Sequence, residues 1–353
     1  MKIFVNVEEM KKAIKELNKV KGENIHIEAL DNKINIFTNN LGYTQLKKTL
    51  EGSIAESGST SFNNSIGKMI TKFKNNELII QDNNIVCKNK KLEFIPEKFQ
   101  AMENGTLKNE YSIEASELLR LLEVDYCTAI DETRPILQGI CFKNNQTCAL
   151  DGYRLSLRTS EKINFEAEFV IHSEAIKILK SILNPKSTEM IKISLFESHV
   201  IFNFDNYELT CKLLEGHFVD FNSLIPKTNI EANKIKINNV EYFKDSILMA
   251  KETYINKKQK AFIKFSCDEN KLKIENIDHN IKYSDIIEES EYISKGCDII
   301  AFNINYIEAA LKNNKYKNLT MNFVNGVSPV VFSENFDMDN LELILPIRLT
   351  TKM

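Results

Sequence analysis

Apolar side chains recur at helical spacing in six segments of the chain, and each segment follows a short strand-like run. In the first segment, Met10, Ile14, Leu17 and Val20 are three or four residues apart. Side chains at that spacing lie on one face of an α-helix. The pattern therefore predicts amphipathic helices over residues 7–20, 61–73, 114–130, 170–183, 238–252 and 301–313.

Alternating apolar and polar residues follow the second, fourth and sixth of these helices and predict antiparallel strands. Polar turn pairs interrupt the alternation at Asp82-Asn83, Glu197-Ser198 and Asn325-Gly326, which predicts hairpins there. Asn or Ser stands near the start of each of these three helices, where its side chain can cap the first backbone N–H groups.

The six helices form three pairs, and each pair belongs to a strand–helix–strands unit that occurs twice in succession. Three doubled units predict an α+β protein with three topologically similar domains. The boundaries fall after Glu103-Asn104-Gly105 and after Pro226-Lys227-Thr228. We therefore predict domains over residues 1–106, 107–229 and 230–353.

Composition narrows the class of protein. The 353 residues include 46 basic and 49 acidic side chains, a net charge of −3. That balance argues against a simple DNA-coating protein but allows one that concentrates basic charge on one surface. Seven scattered cysteines include no C-x-x-C pair, which favours reduced thiols over a zinc site or disulfides. With no signal peptide and no apolar stretch of ~18 residues, we expect a cytoplasmic protein.

Four short motifs stand in a fixed order within the second and third predicted domains. They are Thr133–Gly139 with Asp151–Leu155, Glu215–Phe221 with Leu224–Pro226, Phe302–Ile307, and Leu345–Leu349. Each motif alone is weak, but their order and spacing inside a threefold repeat are specific. In these features the chain resembles the bacterial DNA polymerase III beta subunits, the DNA sliding clamps, over essentially its whole length, as a divergent member.

The resemblance implies a ring-forming protein. In this family a homodimer of three-domain protomers encircles double-stranded DNA without regard to sequence, with helices lining the hole. The ring is a processivity factor with no catalytic site. It tethers the DNA polymerase III catalytic subunit, the clamp loader and other clamp-motif proteins through a hydrophobic peptide pocket. The resemblance implies no cofactor, no metal and no membrane partner.

Basic residues on the predicted helices are the candidates for the DNA channel. Duplex phosphates require positive charge without base readout, and flexible lysines suit contacts that slide. The candidates are Lys11, Lys12, Lys15, Lys19, Lys68, Lys72, Arg120, Lys177, Lys180, Lys244, Lys251 and Lys312. For any one of these residues, an ordinary solvated helix face is an equally good explanation.

The resemblance places the peptide pocket between the second and third domains. Its matching positions are Leu137, Gly152, Tyr153, Arg154, Leu155, Val219, Leu224, Leu343, Leu345, Pro346, Ile347 and Arg348. An aliphatic cup with two arginines and a glycine at its rim suits an apolar peptide anchor. Plain strand core is the alternative for Leu137, Leu155, Leu343 and Leu345.

The chain departs from the family pattern at this pocket. Val219 stands where proline is usual, and Tyr153 stands where histidine is usual. Leu345 and Ile347 replace methionines, whose unbranched side chains adapt to many partners. Residues 350–353 extend past the usual terminal Arg-Leu pair. We therefore expect a partner preference of its own.

The expected dimer interface joins Leu92 and Phe94 of one protomer to Leu248 and Met249 of the second, head to tail. Alternation over residues 91–95 is typical of an edge strand. The first domain is shorter than the family's, which predicts weaker ring closure or altered contact with the loader. This divergence favours a second-copy or mobile-element clamp over a main replication clamp.

Two other classes of function remain open on the sequence. A phosphoesterase would use Asp131, Asp151, His172 and His217, but these lack metal-ligand spacing and no phosphate-binding loop is present. A clamp-fold binding or regulatory module that does not encircle DNA is the nearer alternative.

Overall fold

Each of the six predicted helices is present in the computed structural model, with its apolar face buried. The structure describes all residues except 41–42, 75–76, 103–104, 227–231, 256–259, 278–280, 336 and 350–353. In the first helix, Met10, Ala13, Ile14 and Leu17 are buried. The helices are α1 (Val7–Leu17), α2 (Asn64–Ile70), α3 (Ala115–Leu121), α4 (Ser173–Ile182), α5 (Val240–Glu252) and α6 (Ile304–Asn313).

Several helix ends differ from the predicted ones. The segment predicted as a helix over 114–130 is α-helical only to Leu121 and continues as a 3-10 helix over Leu122–Cys127. At the start of α4 the N-cap is His172, not a serine, because its ring Nδ1 accepts from the backbone N–H of Glu174 at 3.1 Å. Asn63 and Asn303 cap α2 and α6, which confirms those two predictions.

Twenty-six strands occur in the described residues, and the three predicted hairpin turns each connect two of them. The strands of residues 1–106 are β1 (Lys2–Asn6), β2 (Asn24–Leu30), β3 (Lys33–Asn40), β4 (Thr44–Leu50), β5 (Gly52–Glu56), β6 (Gly58–Asn63), β7 (Glu77–Gln81), β8 (Asn84–Cys87) and β9 (Lys90–Glu93). Those of residues 107–229 are β10 (Leu107–Glu114), β11 (Gly139–Asn144), β12 (Gln146–Leu150), β13 (Arg154–Thr159), β14 (Phe165–His172), β15 (Met190–Phe196), β16 (His199–Phe204) and β17 (Tyr207–Lys212). The remainder are β18 (Asn233–Ile237), β19 (Phe262–Asp268), β20 (Lys271–Asn276), β21 (Ser284–Ile287), β22 (Ser290–Ile293), β23 (Ile299–Asn303), β24 (Leu319–Phe323), β25 (Val330–Ser333) and β26 (Asn340–Ile344).

The chain divides into two compact units. Unit 1 comprises residues 1–122 and 161–215, and unit 2 comprises residues 123–160 and 216–353. Each unit takes part of residues 107–229, so the units differ from the three predicted domains. Residues 103–104 and 227–231, at the predicted boundaries, lie outside the described residues, and the three-domain division stays a prediction.

Antiparallel sheets backed by helices make up both units, so the predicted α+β class is confirmed. In unit 1 the strand orders are β5-β1-β7-β8-β9 and β10-β15-β16-β17-β4-β3-β2-β6. In unit 2 the orders are β11-β12-β13-β26-β25-β24-β18-β22 and β21-β20-β19-β23. Alternating residues are buried in several strands, as in β1, where Ile3 and Val5 belong to the core.

One strand pairing recurs at an equivalent place in both units. In unit 1, β4 pairs with β17, so that Lys48 lies opposite Tyr207. In unit 2, β13 pairs with β26, so that Arg158 lies opposite Asn340. Each of these four strands is the last strand of an antiparallel meander of three. The remaining meanders of this kind end in β9 and β21, and both of those strands lie at a sheet edge.

Candidate functional site

A rigid turn connects β12 to β13 in unit 2. The Asp151 carboxylate accepts hydrogen bonds from the backbone N–H groups of Tyr153 (2.9 Å) and Arg154 (3.0 Å). Gly152, between Asp151 and Tyr153, has a φ of +89°, a left-handed conformation that favours glycine because it has no Cβ. The turn therefore holds Tyr153 and Arg154 in fixed positions at the end of the sheet.

A cleft of about 150 Å³ opens beside this turn. The register of β13 and β26 places Leu155 opposite Leu343, and Leu345 donates its backbone N–H to the Tyr153 carbonyl at 2.9 Å. A cavity of this size holds roughly one apolar side chain, since ~150 Å³ accommodates benzene. The lining residues are Leu150, Gly152, Tyr153, Arg154, Leu155, Leu224, Pro329, Leu343 and Leu345.

Aromatic rings fix the arginine at the rim of the cleft. The Arg154 Nε donates to the Asp151 carboxylate at 2.9 Å. Its guanidinium lies 4.9 Å from the ring centroid of Tyr306 and 5.6 Å from that of Tyr126. The Tyr153 ring stacks near Tyr306 with centroids 6.3 Å apart. Cation–π contacts of this kind stabilise the arginine in a single position.

A buried polar network lies next to the aromatic rings that contact Arg154. The Tyr126 hydroxyl donates to the carboxylate of Glu342, which also pairs with the Arg158 guanidinium at 2.9 Å. Burial, together with neighbouring acidic groups, raises the pKa of Tyr126 well above its usual value. The hydroxyl therefore stays protonated and remains a donor at any physiological pH. Because the same tyrosine ring contacts Arg154, the network supports the rim of the cleft.

Seven of the predicted pocket residues line this cleft together, namely Gly152, Tyr153, Arg154, Leu155, Leu224, Leu343 and Leu345. The other five do not line it. Leu137 is buried, and Val219 and Arg348 are exposed. Pro346 and Ile347 continue past the cleft, since the Ile347 N–H donates to the Ala301 carbonyl at 2.8 Å. The C-terminal residues 350–353, expected near the pocket, lie outside the described residues.

Leu150 and Pro329 line the cleft although sequence reasoning did not select them. Pro329 directly precedes β25, which pairs with β26 next to Leu343 and Leu345. Leu150 is the last residue of β12 before the Asp151 turn. The predicted hairpin at Asn325-Gly326 was the available signal for Pro329, and the Asp151–Leu155 motif was the signal for Leu150, which directly precedes it.

The basic residues predicted for the channel all lie on the helices or directly after them. Several are already bound within the protein. Lys19 donates to the Ser181 carbonyl in the last turn of α4 at 2.9 Å, which makes it a helix cap. Lys251 pairs with Glu308, and Arg120 makes two hydrogen bonds to Glu117.

The predicted interface residues differ in exposure. Phe94 is only 7% exposed and packs edge-on against Phe62, and its place in a dimer interface stays a prediction. Leu92 is half-buried on the edge strand β9. Leu248 and Met249 are exposed on α5. The large exposed apolar side chain next to β9 is Ile95, at 87%.

The four residues considered for a phosphoesterase site serve local structure. Asp131 accepts hydrogen bonds from the N–H and hydroxyl of Thr133, and Asp151 binds the turn described above. His172 caps α4, and His217 is exposed in a loop. Among the described residues, no cluster of three His, Cys, Asp or Glu could hold a metal ion. No helix in that part of the chain is long and apolar enough to cross a membrane.

Comparisons with known proteins give a consistent result. Residues 112–220 match the model of the DNA polymerase III beta subunit central domain, and residues 222–348 match that of its C-terminal domain. The beta sliding clamp of Borreliella burgdorferi is 25% identical over 234 residues, which is 64% of this chain and 59% of that protein. The beta sliding clamp of Staphylococcus aureus (strain Mu50) is 27% identical over 237 residues, 65% of this chain and 61% of that protein. The matched region thus spans less than two thirds of these curated relatives.

The fold comparison extends over the whole chain. A crystal structure of a putative DNA polymerase III beta subunit from Eubacterium rectale superposes with a TM-score of 0.89. The sequences are 19% identical, and the match covers 99% of this chain and 100% of that one. The chain therefore belongs to the family of bacterial DNA polymerase III beta subunits, the sliding clamps, as a divergent member.

Proposed function

We propose that the protein is a DNA sliding clamp, which closes with a second copy into a ring around duplex DNA. It tethers the DNA polymerase III catalytic subunit, the clamp loader and other proteins through the cleft of unit 2. It acts in the cytoplasm, without catalytic activity and without a cofactor. The observation that carries the proposal is the pair of edge strands β9 and β21.

The strand pairing that recurs inside the chain explains why the edge strands β9 and β21 are expected to pair with a second copy of the protein. At two places inside the chain, the last strand of one meander pairs with the last strand of another, as β4 with β17 and β13 with β26. Strands β21 and β9 are the corresponding strands without such a partner within the sheets of the described residues. Pairing of β21 in one protomer with β9 in the next repeats the same joint head to tail. Two such joints close a ring.

Side chains on the two edges support this pairing. Lys88, Lys90 and Lys91 are exposed in and next to β9. Glu288 and Glu289 are exposed directly after β21. Opposite charges on two edge strands favour pairing between copies over pairing of either edge with itself. Exposed Ile95 and Ile286 supply apolar surface at the same edges.

The cleft supports a peptide-binding role. Its aliphatic floor takes one apolar side chain, and the fixed Arg154 and Tyr153 at the rim offer polar contacts to a peptide backbone. A small desolvated pocket with an aromatic and an arginine at its edge is typical of a binding hot spot. Leu345, a branched residue, makes the floor less adaptable than methionine would. We therefore expect a narrow range of anchor side chains.

Topological linkage is the property that tests the proposal. The protein is loaded onto a nicked circular plasmid by its cognate clamp loader, and the DNA is purified by gel filtration at about 0.5 M salt. A ring stays on the circle, where exposed charge contacts are strongly screened, and leaves after one restriction cut. Protein that is lost equally from circular and linear DNA would refute encirclement and support the non-encircling module instead.

Peptide binding is tested separately with a labelled peptide that carries the clamp-binding segment of the cognate DNA polymerase III catalytic subunit. Leu224→Glu places a charge on the cleft wall and raises the Kd at least about tenfold. Leu30→Glu, a matched control, changes a leucine of nearly equal exposure in unit 1 (44% against 43%) and leaves the Kd unchanged. Equal effects of the two substitutions would place the peptide elsewhere.

A further inference from the structure

Acidic residues neutralise many of the helix cations from within the protein. The ion pairs are Lys11–Glu8 (2.6 Å), Arg120–Glu117 (2.7 Å), Lys177–Glu174 (2.7 Å), Lys244–Glu241 (3.9 Å) and Lys251–Glu308. In the first four pairs the glutamate precedes the cation by three residues and lies in the first turn of its helix. The helix dipole also favours a carboxylate there. The carboxylate beside such a cation weakens the attraction of that cation for a phosphate.

Four lysines of the first two helices differ from these. Lys12 and Lys15 on α1, Lys68 on α2 and Lys72 directly after α2 are exposed. None of the four forms an ion pair with any residue that the structure describes. On α1, Lys12 and Lys15 lie on the side opposite the buried stripe of Met10, Ile14 and Leu17. We refer to Lys12, Lys15, Lys68 and Lys72 as the α1–α2 lysines.

The corresponding surface of α5 has the opposite character. Asp245 and Glu252 are exposed there, next to the exposed apolar side chains of Leu248 and Met249. On α6, Lys312 is a single exposed cation, and the nearby Glu308 already pairs with Lys251. Positive charge that is available to an external anion is therefore concentrated on α1 and α2.

We infer that the α1–α2 lysines carry most of the phosphate contact between this protein and duplex DNA, and that carboxylates on α3, α4 and α5 suppress contact by the cations beside them. The inference rests on the proposed function, because it assumes that duplex DNA passes these helices. The inference assigns unequal numbers of phosphate contacts to helices that are otherwise repeated around the ring. Because fewer cations contact the DNA, fewer cation–phosphate contacts have to break and re-form when the ring slides.

The test compares two variants that remove equal charge. One carries Lys12→Gln, Lys15→Gln, Lys68→Gln and Lys72→Gln, and the control carries Arg120→Gln, Lys177→Gln, Lys244→Gln and Lys251→Gln. The affinity of each for a labelled 30-base-pair duplex is measured from about 25 to 200 mM salt. Each phosphate contact contributes about 0.9 to the slope of log affinity against log salt. Relative to the unmodified protein, we expect the magnitude of this slope to fall by about 2 to 4 in the first variant and by less than about 1 in the control.

A third variant tests the suppressing carboxylates directly. Glu117→Gln, Glu174→Gln and Glu241→Gln together release three cations, and we expect a steeper slope and tighter duplex binding than in the unmodified protein. Equal loss of slope in the first variant and the control would overturn the inference, as would unchanged binding in the third variant. If the unmodified protein binds the duplex without salt dependence, or not at all, the inference fails, whereas the proposed function fails only if the protein is also lost from circular DNA. Retention on circular DNA with equal slope losses would leave the proposed function intact and reject only the inference.

Discussion

The Arg158 guanidinium lies 2.9 Å from the Glu342 carboxylate, and both side chains are almost completely buried where β13 meets β26. At the equivalent joint in unit 1, the buried Lys48 ammonium lies 3.0 Å from the Glu16 carboxylate and contacts the Tyr207 hydroxyl at 2.6 Å. The corresponding strand thus carries a buried cation in both joints. Each joint combines backbone pairing with an ion pair whose cation is buried.

Loss of one partner from the buried pair is expected to be costly. Glu342→Ala leaves the Arg158 charge buried without its main carboxylate, and we expect the free energy of unfolding to fall by about 3–5 kcal/mol. Urea denaturation of the full chain measures the change. The control is Glu110→Ala, which removes the exposed partner of Lys192 (2.6 Å) and is expected to have no measurable effect. Similar stability of the two variants would show that the buried pair does not hold the joint.

The turn beside the cleft is expected to depend on glycine. Gly152→Ala adds a Cβ at a φ of +89°, where the nearest atom is 3.8 Å away, so the cost comes from the backbone conformation and not from a clash. We expect a loss of about 1–2 kcal/mol in the free energy of unfolding. Gly105→Ala, with no atom within 4 Å and no left-handed φ, is the control. Equal urea midpoints for the two variants would contradict the strained-turn account.

Acid is expected to destabilise unit 1 through His26. Its ring stacks on Phe99 with centroids 4.8 Å apart, and burial lowers its pKa from 6.5 to about 4. The unfolded chain therefore binds a proton that the folded chain does not between these two values, and stability falls as the pH drops through that window. Allowing for partial exposure of the ring, the loss is about 2 kcal/mol.

The measurement is the free energy of unfolding at pH 7.5 and at pH 4.5, for the unmodified protein and for His26→Gln. The substitution removes the titrating group, so we expect the difference between the two pH values to shrink by about 2 kcal/mol. A difference that is the same in both proteins would assign the acid sensitivity to other groups.

Tyr306 is expected to matter for peptide affinity through its ring and not through its hydroxyl. The ring stacks near Tyr153 and contacts the Arg154 guanidinium, so Tyr306→Ala removes one contact from each rim residue. We expect the Kd for the polymerase peptide to rise about tenfold, which corresponds to ~1.4 kcal/mol, while Tyr306→Phe changes it little. Tyr242→Ala, at an exposed tyrosine of α5, is the control. A large loss of affinity in Tyr306→Phe would shift the role to the hydroxyl.

Helical periodicity was sufficient to locate all six helices, because each buries a single apolar face. The helix ends were less predictable: His172 caps α4 through its ring, and the segment after Leu121 tightens into a 3-10 helix. Neither depends on the apolar pattern. The pairing of one meander with another could not be predicted from the sequence either. The paired residues, such as Leu155 and Leu343, are far apart along the chain.

The candidate site was predicted in part for the same reason. Residues of the Asp151 turn and of β26 fall in short specific motifs, and they do line one cleft. Alternation along residues 91–95 does not show which of these side chains is covered within the protomer, and Phe94 packs against Phe62. The state of each lysine depended on its neighbours in space, as the capping of α4 by Lys19 illustrates.

Ring closure through β9 and β21 is the central claim, and the molar mass in solution tests it most directly. Light scattering over about 1 to 50 µM is expected to give twice the chain mass of 40.7 kDa. Ile286→Lys places a positive charge on β21 opposite the lysines of β9 and is expected to shift the protein toward the monomer. Ile299→Lys, at another exposed isoleucine of unit 2, leaves the dimer intact. A mass of 40.7 kDa for the unmodified protein across the whole concentration range would contradict the ring.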